Sequence, residues 1–257
     1  MTAVLVLAGL VGLAVGSFLN VVIWRVPRGE SVVSPASACP ACGHPIRARD
    51  NVPLLSWFVL RGRCRDCSAP ISPRYWLVEL ASGAAVVGVV WRFWDTPWAI
   101  PVFGYLAVVG LALALIDVDV RRLPDALVLP SYPVVLVFLV LASAMTPDWG
   151  ALGRAGIGAV ALGAFYVLPW LVGGMGLGDV KLAPLLGAAL AWLGWGAFAV
   201  GTFAAFLIGG AHGPSLLPAR RGGRRSAVPF GPWMVLGAAV GVAAGEPVWA
   251  AYLGLLT

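Results

Sequence analysis

Eight apolar runs, most of them close to the length a helix needs to cross a hydrocarbon core, constrain this chain more than any other feature. They cover roughly residues 2–24, 76–94, 99–116, 126–145, 151–172, 181–193, 196–211 and 232–255. Inside lipid no water remains to bond backbone N–H and C=O groups, so such runs must satisfy those groups internally, as helices. The expectation is an all-α polytopic membrane protein of about eight transmembrane helices. A content of 60% hydrophobic and only 11% charged residues belongs to the same class. The 181–193 and 196–211 runs are short, with Leu193-Gly194-Trp195-Gly196 between them. They read as two thin spans joined by a tight turn, or as one broken re-entrant unit. Two spans keep the arginines of the last loop on the same side as the others, and that reading is preferred.

Charge orients the chain. The first apolar run has no basic residues before it, while Arg25 and Arg28 follow it, which predicts a retained first span with its N-terminus outside. Threading the runs from there puts the loops at 25–75, 117–125, 173–180 and 212–231 in the cytoplasm. All 17 basic residues except Arg92 and Arg154 then lie inside. The net charge of +6 is thus accounted for by membrane topology. No platform of interleaved aromatic and basic residues is visible, so nucleic acid is not expected as a partner, and the lipid bilayer is. The stretch 219–226, Ala-Arg-Arg-Gly-Gly-Arg-Arg-Ser, reads as a low-complexity, mobile loop. Three regions follow: a first transmembrane helix at 1–24, a cytoplasmic cysteine loop at 25–75, and a membrane core of about seven helices at 76–257.

All four cysteines fall in the first loop, as Cys39-Pro40-Ala41-Cys42 and Cys64-Arg65-Asp66-Cys67. A cytoplasmic loop keeps thiols reduced, so metal is the expectation rather than disulfide. Each Cys-x-x-Cys turn offers two thiolates from one knuckle, and two knuckles complete a tetrahedral four-sulfur set of the kind that holds structural zinc. Gly43 and Ser68, each just past its pair, suit the turn required. His44 then has no vacancy to fill and reads as a surface residue.

Two acidic stretches lie at the predicted inner edge of the bilayer. One is Gly174-Met175-Gly176-Leu177-Gly178-Asp179-Val180-Lys181, which holds the only lysine; the other is Ile116-Asp117-Val118-Asp119-Val120-Arg121-Arg122-Leu123-Pro124-Asp125. A charged side chain within a span costs about 2.5–3.5 kcal/mol on insertion scales, so such a residue is a functional candidate. Two carboxyl groups sharing a site can divide acid and base roles between them, one activating a water and the other polarising a peptide carbonyl. At about 100° per residue, Asp117 and Asp119 point to nearly opposite helix faces, so at most one shares a site with Asp179. Spacing alone does not select between them. Asp125, after Pro124, could cap the next helix, and Asp179 could do the same for its own.

These stretches and five others resemble one family, the type IV prepilin peptidases, over nearly the whole chain. Gly16-Ser17-Phe18-Leu19-Asn20-Val21-Val22 with Arg25-Val26-Pro27 resembles its N-terminal signature. Cys39-Pro40-x-Cys42-Gly43-His44-Pro45-Ile46, Asn51-Val52-Pro53-Leu54-Leu55-Ser56-Trp57, and Arg61-Gly62-Arg63-Cys64 through Ile71-Ser72-x-Arg74-Tyr75 resemble its metal loop. Ile116-Asp117 with Leu123-Pro124-Asp125 resembles the first catalytic motif, the 174–181 stretch the second, and Pro229-Phe230-Gly231-Pro232 a late signature. The resemblance implies a membrane aspartic endopeptidase with Asp117 and Asp179 as its catalytic pair. It implies prepilin or pseudopilin substrates, whose leaders are cleaved at the cytoplasmic membrane face. Forms with the cysteine loop also N-methylate the new N-terminal residue using S-adenosylmethionine, so both activities are expected, with structural Zn2+ on Cys39, Cys42, Cys64 and Cys67. Gly62, beside the second knuckle, and Glu79, an acid just inside the second span, are the candidates for the methyl-donor site. A turn glycine and a buried hydrogen-bonded acid are the alternative readings of those two. Trp76 stands where the family usually has proline, and Val120-Arg121-Arg122 replaces a common His- or Gln-containing stretch.

Two rivals remain at this stage. A transporter would explain intramembrane carboxylates but not the cysteine loop or the edge location, since transporter sites usually lie near the midplane. A membrane-anchored scaffold would use the cysteine loop to recruit a partner and leave both aspartates structural.

Overall fold

The computed structural model describes residues 1–212 and 229–255. Among them every regular element is helical, and the only strand-like contacts are two isolated bridges, Ala38 with Pro45 and Arg63 with Pro70. The basic stretch at 219–226 lies outside the described residues. Five helices are long and apolar enough to cross a membrane, those within Thr2–Arg28, Pro97–Val120, Asp125–Met145, Trp149–Leu171 and Gly231–Gly254. The other three expected runs are helical too. One carries Arg74, Glu79 and Arg92, and the other two are Leu177–Leu193 and Trp195–His212, of 17 and 18 residues. The chain divides into two compact units, residues 1–97 and 98–257.

The first unit is a helical hairpin that carries the cysteine loop. Helix α1 (Thr2–Arg25) packs antiparallel on α3 (Arg74–Arg92), and glycine sets how close they come. A Cβ on Gly12 would stand 2.8 Å from the Gly83 Cα, and one on Gly16 would stand 2.7 Å from the Glu79 Cα. Gly12 and Gly16 are thus a small-xxx-small pair that lets two backbones touch, the commonest way to gain van der Waals contact between helices in lipid. Asn20 Nδ2 donates to the Tyr75 carbonyl at 3.1 Å and fixes the register at the loop end. Between the two helices lies one short α-helix, α2 (Leu55–Val59).

The second unit contains α4 (Ile100–Val120), α5 (Asp125–Met145), α6 (Trp149–Leu171), α7 (Leu177–Leu193), α8 (Trp195–His212) and α9 (Gly231–Gly254). The tightest pairs are α6 with α7 and α8 with α9. Gly237, Gly241 and Gly245 repeat every fourth residue along α9, and a Cβ on Gly241 would stand 2.9 Å from the Gly201 Cα of α8. The doubtful segment of the sequence forms two separate helices that meet at Gly194. Several buried polar groups pair inside the bundle, as lipid favours: Trp192 Nε1 donates to Ser143 Oγ at 2.8 Å, and the Tyr105 and Ser131 hydroxyls lie 2.9 Å apart. Ser131 Oγ also donates to the Leu127 carbonyl at 2.7 Å. Arg154, one of the two basic residues left off the inner loops, reaches Asp148 and the Trp192 carbonyl, each at 3.5 Å.

Candidate active site and metal centre

In the second unit the acidic residues separate by environment. Asp117 sits in the last turn of α4 and Asp179 in the first turn of α7, and each is only 5% exposed. Asp119, two residues from Asp117, is exposed, as opposite helix faces demand. Asp125 is also exposed and opens α5. Its side chain makes no cap there; both its oxygens accept from Lys181 Nζ, at 2.8 and 2.9 Å. Only Asp117 and Asp179 combine burial with a helix terminus, and the two lie within electrostatic range of one another.

Each carboxyl is held by a glycine N–H. Gly176 N donates to Asp179 Oδ2 at 3.1 Å, which folds the side chain back over the helix start. Gly231 N, opening α9, donates to Asp117 Oδ2 at 3.0 Å. A Cβ on Gly231 would meet that same oxygen at 2.9 Å, so the close approach requires glycine. This explains part of the Pro229-Phe230-Gly231-Pro232 stretch, to which sequence reasoning gave no role. Phe230 packs on Tyr166 and Phe206, with centroids 6.1 and 5.1 Å away. Tyr166, fully buried and within electrostatic range of Asp179, is a second residue the sequence did not flag. Its position in an apolar helix made it look like ordinary core.

Three contacts fix the first turns of α7 against the α4–α5 turn. Gly178 abuts Leu123, where a Cβ would stand 2.8 Å from the Leu123 Cβ. Lys181 pairs with Asp125, and Tyr132 Oη of α5 donates to the Lys181 carbonyl at 2.7 Å. The turn itself is closed by Arg121, in the left-handed region (φ 52°), whose N–H returns to the Asp117 carbonyl at 2.8 Å. The C-terminal end of α4 and the N-terminal ends of α5, α7 and α9 therefore converge, and the two buried carboxyls stand at that end of the bundle.

The cysteine loop belongs to the first unit. The ligand atoms of Cys39, Cys42, Cys64 and Cys67 all lie within 4.8 Å of one another, with no disulfide among them. A tetrahedral site with metal–sulfur bonds of about 2.3 Å has sulfur–sulfur edges of about 3.8 Å; Cys39 Sγ and Cys67 Sγ are 3.8 Å apart. The four sulfurs fit a metal ion. The two knuckles repeat one design: Cys39 N donates to the His44 carbonyl and Gly43 N to the Cys39 carbonyl, while Cys64 N donates to Ala69 and Ser68 N to Cys64. Gly43 and Ser68 both take the left-handed backbone this turn needs, with φ of 72° and 60°. Backbone N–H groups of Cys42 and Ala41 draw the Cys39 thiol down to about 7. Cys67 stands at about 12 even though the Ala69 N–H favours its thiolate, because desolvation and the three neighbouring sulfurs oppose it. His44 is exposed and outside the cluster.

The two methyl-donor candidates have partners inside this loop. Glu79, buried in the second turn of α3, accepts from Leu54 N at 2.8 Å. Gly62 adopts a positive φ of 65° against the ring of Trp57, where a Cβ would stand 3.0 Å from the nearest ring atom. Trp57 Nε1 donates to the Ile71 carbonyl at 3.1 Å. Trp76, in the first turn of α3, stacks near Trp57 and Phe58 with centroids 5.9 and 5.8 Å away. The residue that departs from the family pattern thus joins the loop to the helix.

Residues 10–93 match the Bacterial Peptidase A24 N-terminal domain, and residues 104–213 match the Type IV leader peptidase family. The chain belongs to the type IV leader peptidase family. It is 37% identical over 271 residues to a prepilin leader peptidase/N-methyltransferase of Stutzerimonas stutzeri, covering 94% of this chain and 91% of that one. A protein of the same name from Aeromonas hydrophila is 37% identical, with 95% and 92% covered. Another from Pseudomonas aeruginosa is 35% identical, with 95% and 91% covered. No solved structure matches. As a family member the chain is a multi-pass membrane enzyme with a metal-compatible cysteine cluster, and the transporter and scaffold alternatives give no account of these matches.

Proposed function

We propose that this chain is an aspartic endopeptidase that cleaves the leader of type IV prepilins or pseudopilins, and that it then N-methylates the new N-terminal residue. The observation that carries the peptidase half is the pair of buried carboxyls, Asp117 and Asp179, at converging helix ends. Each is oriented by a glycine N–H and neither is ion-paired among the described residues. In the reaction one carboxylate takes a proton from water as that water attacks the scissile carbonyl. The other carboxyl donates a hydrogen bond to the carbonyl oxygen and later delivers the proton to the leaving amine. Burial at the site keeps bulk water from competing and strengthens both interactions.

The proposed topology has the N-terminus outside and this site at the cytoplasmic face, supported by the distribution of arginine and lysine. Zn2+ is the metal proposed for Cys39, Cys42, Cys64 and Cys67; when bound it would supply four bonds that hold the loop folded. S-adenosylmethionine is the proposed methyl donor, with Gly62 and Glu79 as candidate residues toward it. Both also have structural work in the loop, so the informative variant is Glu79→Gln: loss of methylation with cleavage kept supports the assignment, and methylation at full rate removes Glu79.

The test of the reading as a whole is cleavage of a prepilin by the purified wild type, Asp117→Asn and Asp179→Asn, with mass spectrometry of the product N-terminus. Loss of cleavage in both variants, with the fold intact, supports the pair. Added mass of one methyl group on the wild-type product, dependent on the methyl donor, supports the second activity. Cleavage surviving in either variant means that the wrong aspartate has been chosen.

A further inference from the structure

Within the first unit, the short helix α2 presents an apolar face that no other described residue covers. Leu55 is 63% exposed, Phe58 57% and Val59 72%. With Val52 and Leu60, Leu55 and Val59 also line a shallow groove bounded by Arg49, Asp50, Ser56 and Arg65. A free face of this size on a five-residue helix is costly in water, and the position of α2 indicates what covers it.

Two contacts hold α2 beside the first two turns of α3. Leu54 N donates to Glu79 Oε2 at 2.8 Å, and Trp57 and Phe58 stack near Trp76. That end of the α1–α3 hairpin carries the residue types that mark a bilayer–water boundary: Tyr75 and Arg74 on α3, and on α1 an exposed Trp24 with the Arg28 guanidinium 3.6 Å above its ring. The helix α2 therefore stands beside residues of the types that mark a bilayer–water boundary. Its surroundings are basic. Arg47 pairs with Asp66 and Arg65 with Asp50, whose carboxyl the Arg65 guanidinium holds below its ordinary range. Arg49, Arg61 and Arg63 have no ion pair among the described residues. An apolar face next to such residues, with unneutralised arginines beside it, is complementary to acyl chains beneath anionic headgroups.

We propose that α2 is an interfacial anchor. Leu55, Phe58 and Val59 dip into the headgroup–acyl boundary, while Arg49, Arg61 and Arg63 engage anionic lipid headgroups, so the cysteine loop lies against the membrane instead of projecting from it. The proposal uses only the first unit and does not depend on which side of the membrane that end faces.

The test places benzoylphenylalanine at Val59, a position exposed enough to accept it, in the full chain. The protein is reconstituted in nanodiscs of phosphatidylcholine containing phosphatidylglycerol, irradiated, and its adducts are identified by mass spectrometry. The expected result is a lipid adduct in which phosphatidylglycerol exceeds its share of the bilayer at least twofold, with the excess abolished in an Arg49→Gln/Arg61→Gln/Arg63→Gln variant. Adducts confined to another part of the chain, to a second copy or to an added prepilin overturn the proposal. So does a lipid adduct with no preference for the anionic lipid, or a preference that survives the arginine variant.

Discussion

The cysteine centre and the carboxyl centre are built in opposite ways. The four cysteines come from a polar loop, within one stretch of 29 residues from Cys39 to Cys67, and each knuckle is closed by hydrogen bonds only a few residues long. The carboxyl site draws Asp117, Asp125, Asp179 and Gly231 from four helices, and its defining bond, Gly231 N to Asp117, spans 114 positions. The first centre depends on local turn geometry plus the ion it can hold. The second depends on helix ends that meet only when the whole second unit is packed. Damage to the first should stay in the loop, whereas damage to the second should appear in the chemistry before it appears in the fold.

The largest effect that sharpens this contrast is at the carboxyls. Asp179→Asn should lower the cleavage rate at least about a thousandfold, as loss of a reacting group does in other hydrolases. Thermal stability should change little, because the Asn side-chain oxygen can still accept from Gly176 N. A steady-state cleavage assay with a melting curve checks both parts. Metal removal comes next. Chelation, or Cys39→Ser, should free the amides of residues 38–70 to exchange while those of α4–α9 stay protected, which hydrogen exchange reads directly. Exchange spreading into α4–α9 would mean the two regions are not separate.

Gly231→Ala should reduce turnover by about ten- to a hundredfold with little change in KM, because a displaced catalytic group costs rate out of proportion to the displacement. The structural reason is the Cβ, which would stand 2.9 Å from Asp117 Oδ2. Lys181→Met should have a smaller effect, about three- to fivefold on turnover. Its pair with Asp125 is half exposed, with side chains 39% and 54% accessible, and such pairs are worth about 0.2–1 kcal/mol. Lys181→Arg should retain wild-type turnover.

The smallest effect is a pH dependence in the metal-free loop. A lowered thiol value means that the thiolate appears at lower pH, so Cys39 should alkylate half-maximally near pH 7 and Cys67 only as pH approaches about 12. Iodoacetamide labelling with peptide mass mapping checks the order; Cys67 reacting before Cys39 would contradict it.

The cysteine centre was almost wholly legible in the sequence, because duplicated Cys-x-x-Cys spacing specifies geometry by itself. Even the left-handed positions at Gly43 and Ser68 could be anticipated from where the turn must close. The two knuckles also carry Pro and Ile at the same offsets, Pro45-Ile46 and Pro70-Ile71, in keeping with their shared backbone design. At the carboxyl site helical periodicity limited the choice to one of Asp117 and Asp119, and burial then separates them. The partners were not legible. Nothing in Pro229-Phe230-Gly231-Pro232 says that its glycine N–H reaches a carboxyl on α4, and Tyr166 sits in a run whose apolar character hides it. Asp125 looked like a helix cap, yet its partner is the lysine on α7, a pairing that only the packed bundle reveals. The count of spans was the coarsest reading, because α3 carries charge and α7 and α8 are short, so hydropathy and length qualify five helices where eight runs are apolar.

The central claim is that Asp117 and Asp179 form one site acting as a unit. The most direct test is a double-mutant comparison of prepilin cleavage by Asp117→Asn, Asp179→Asn and the variant carrying both. Groups that act together are strongly non-additive, so the double variant should be no slower than the worse single variant, within a few-fold. Losses that multiply, with each aspartate contributing independently, would contradict the account.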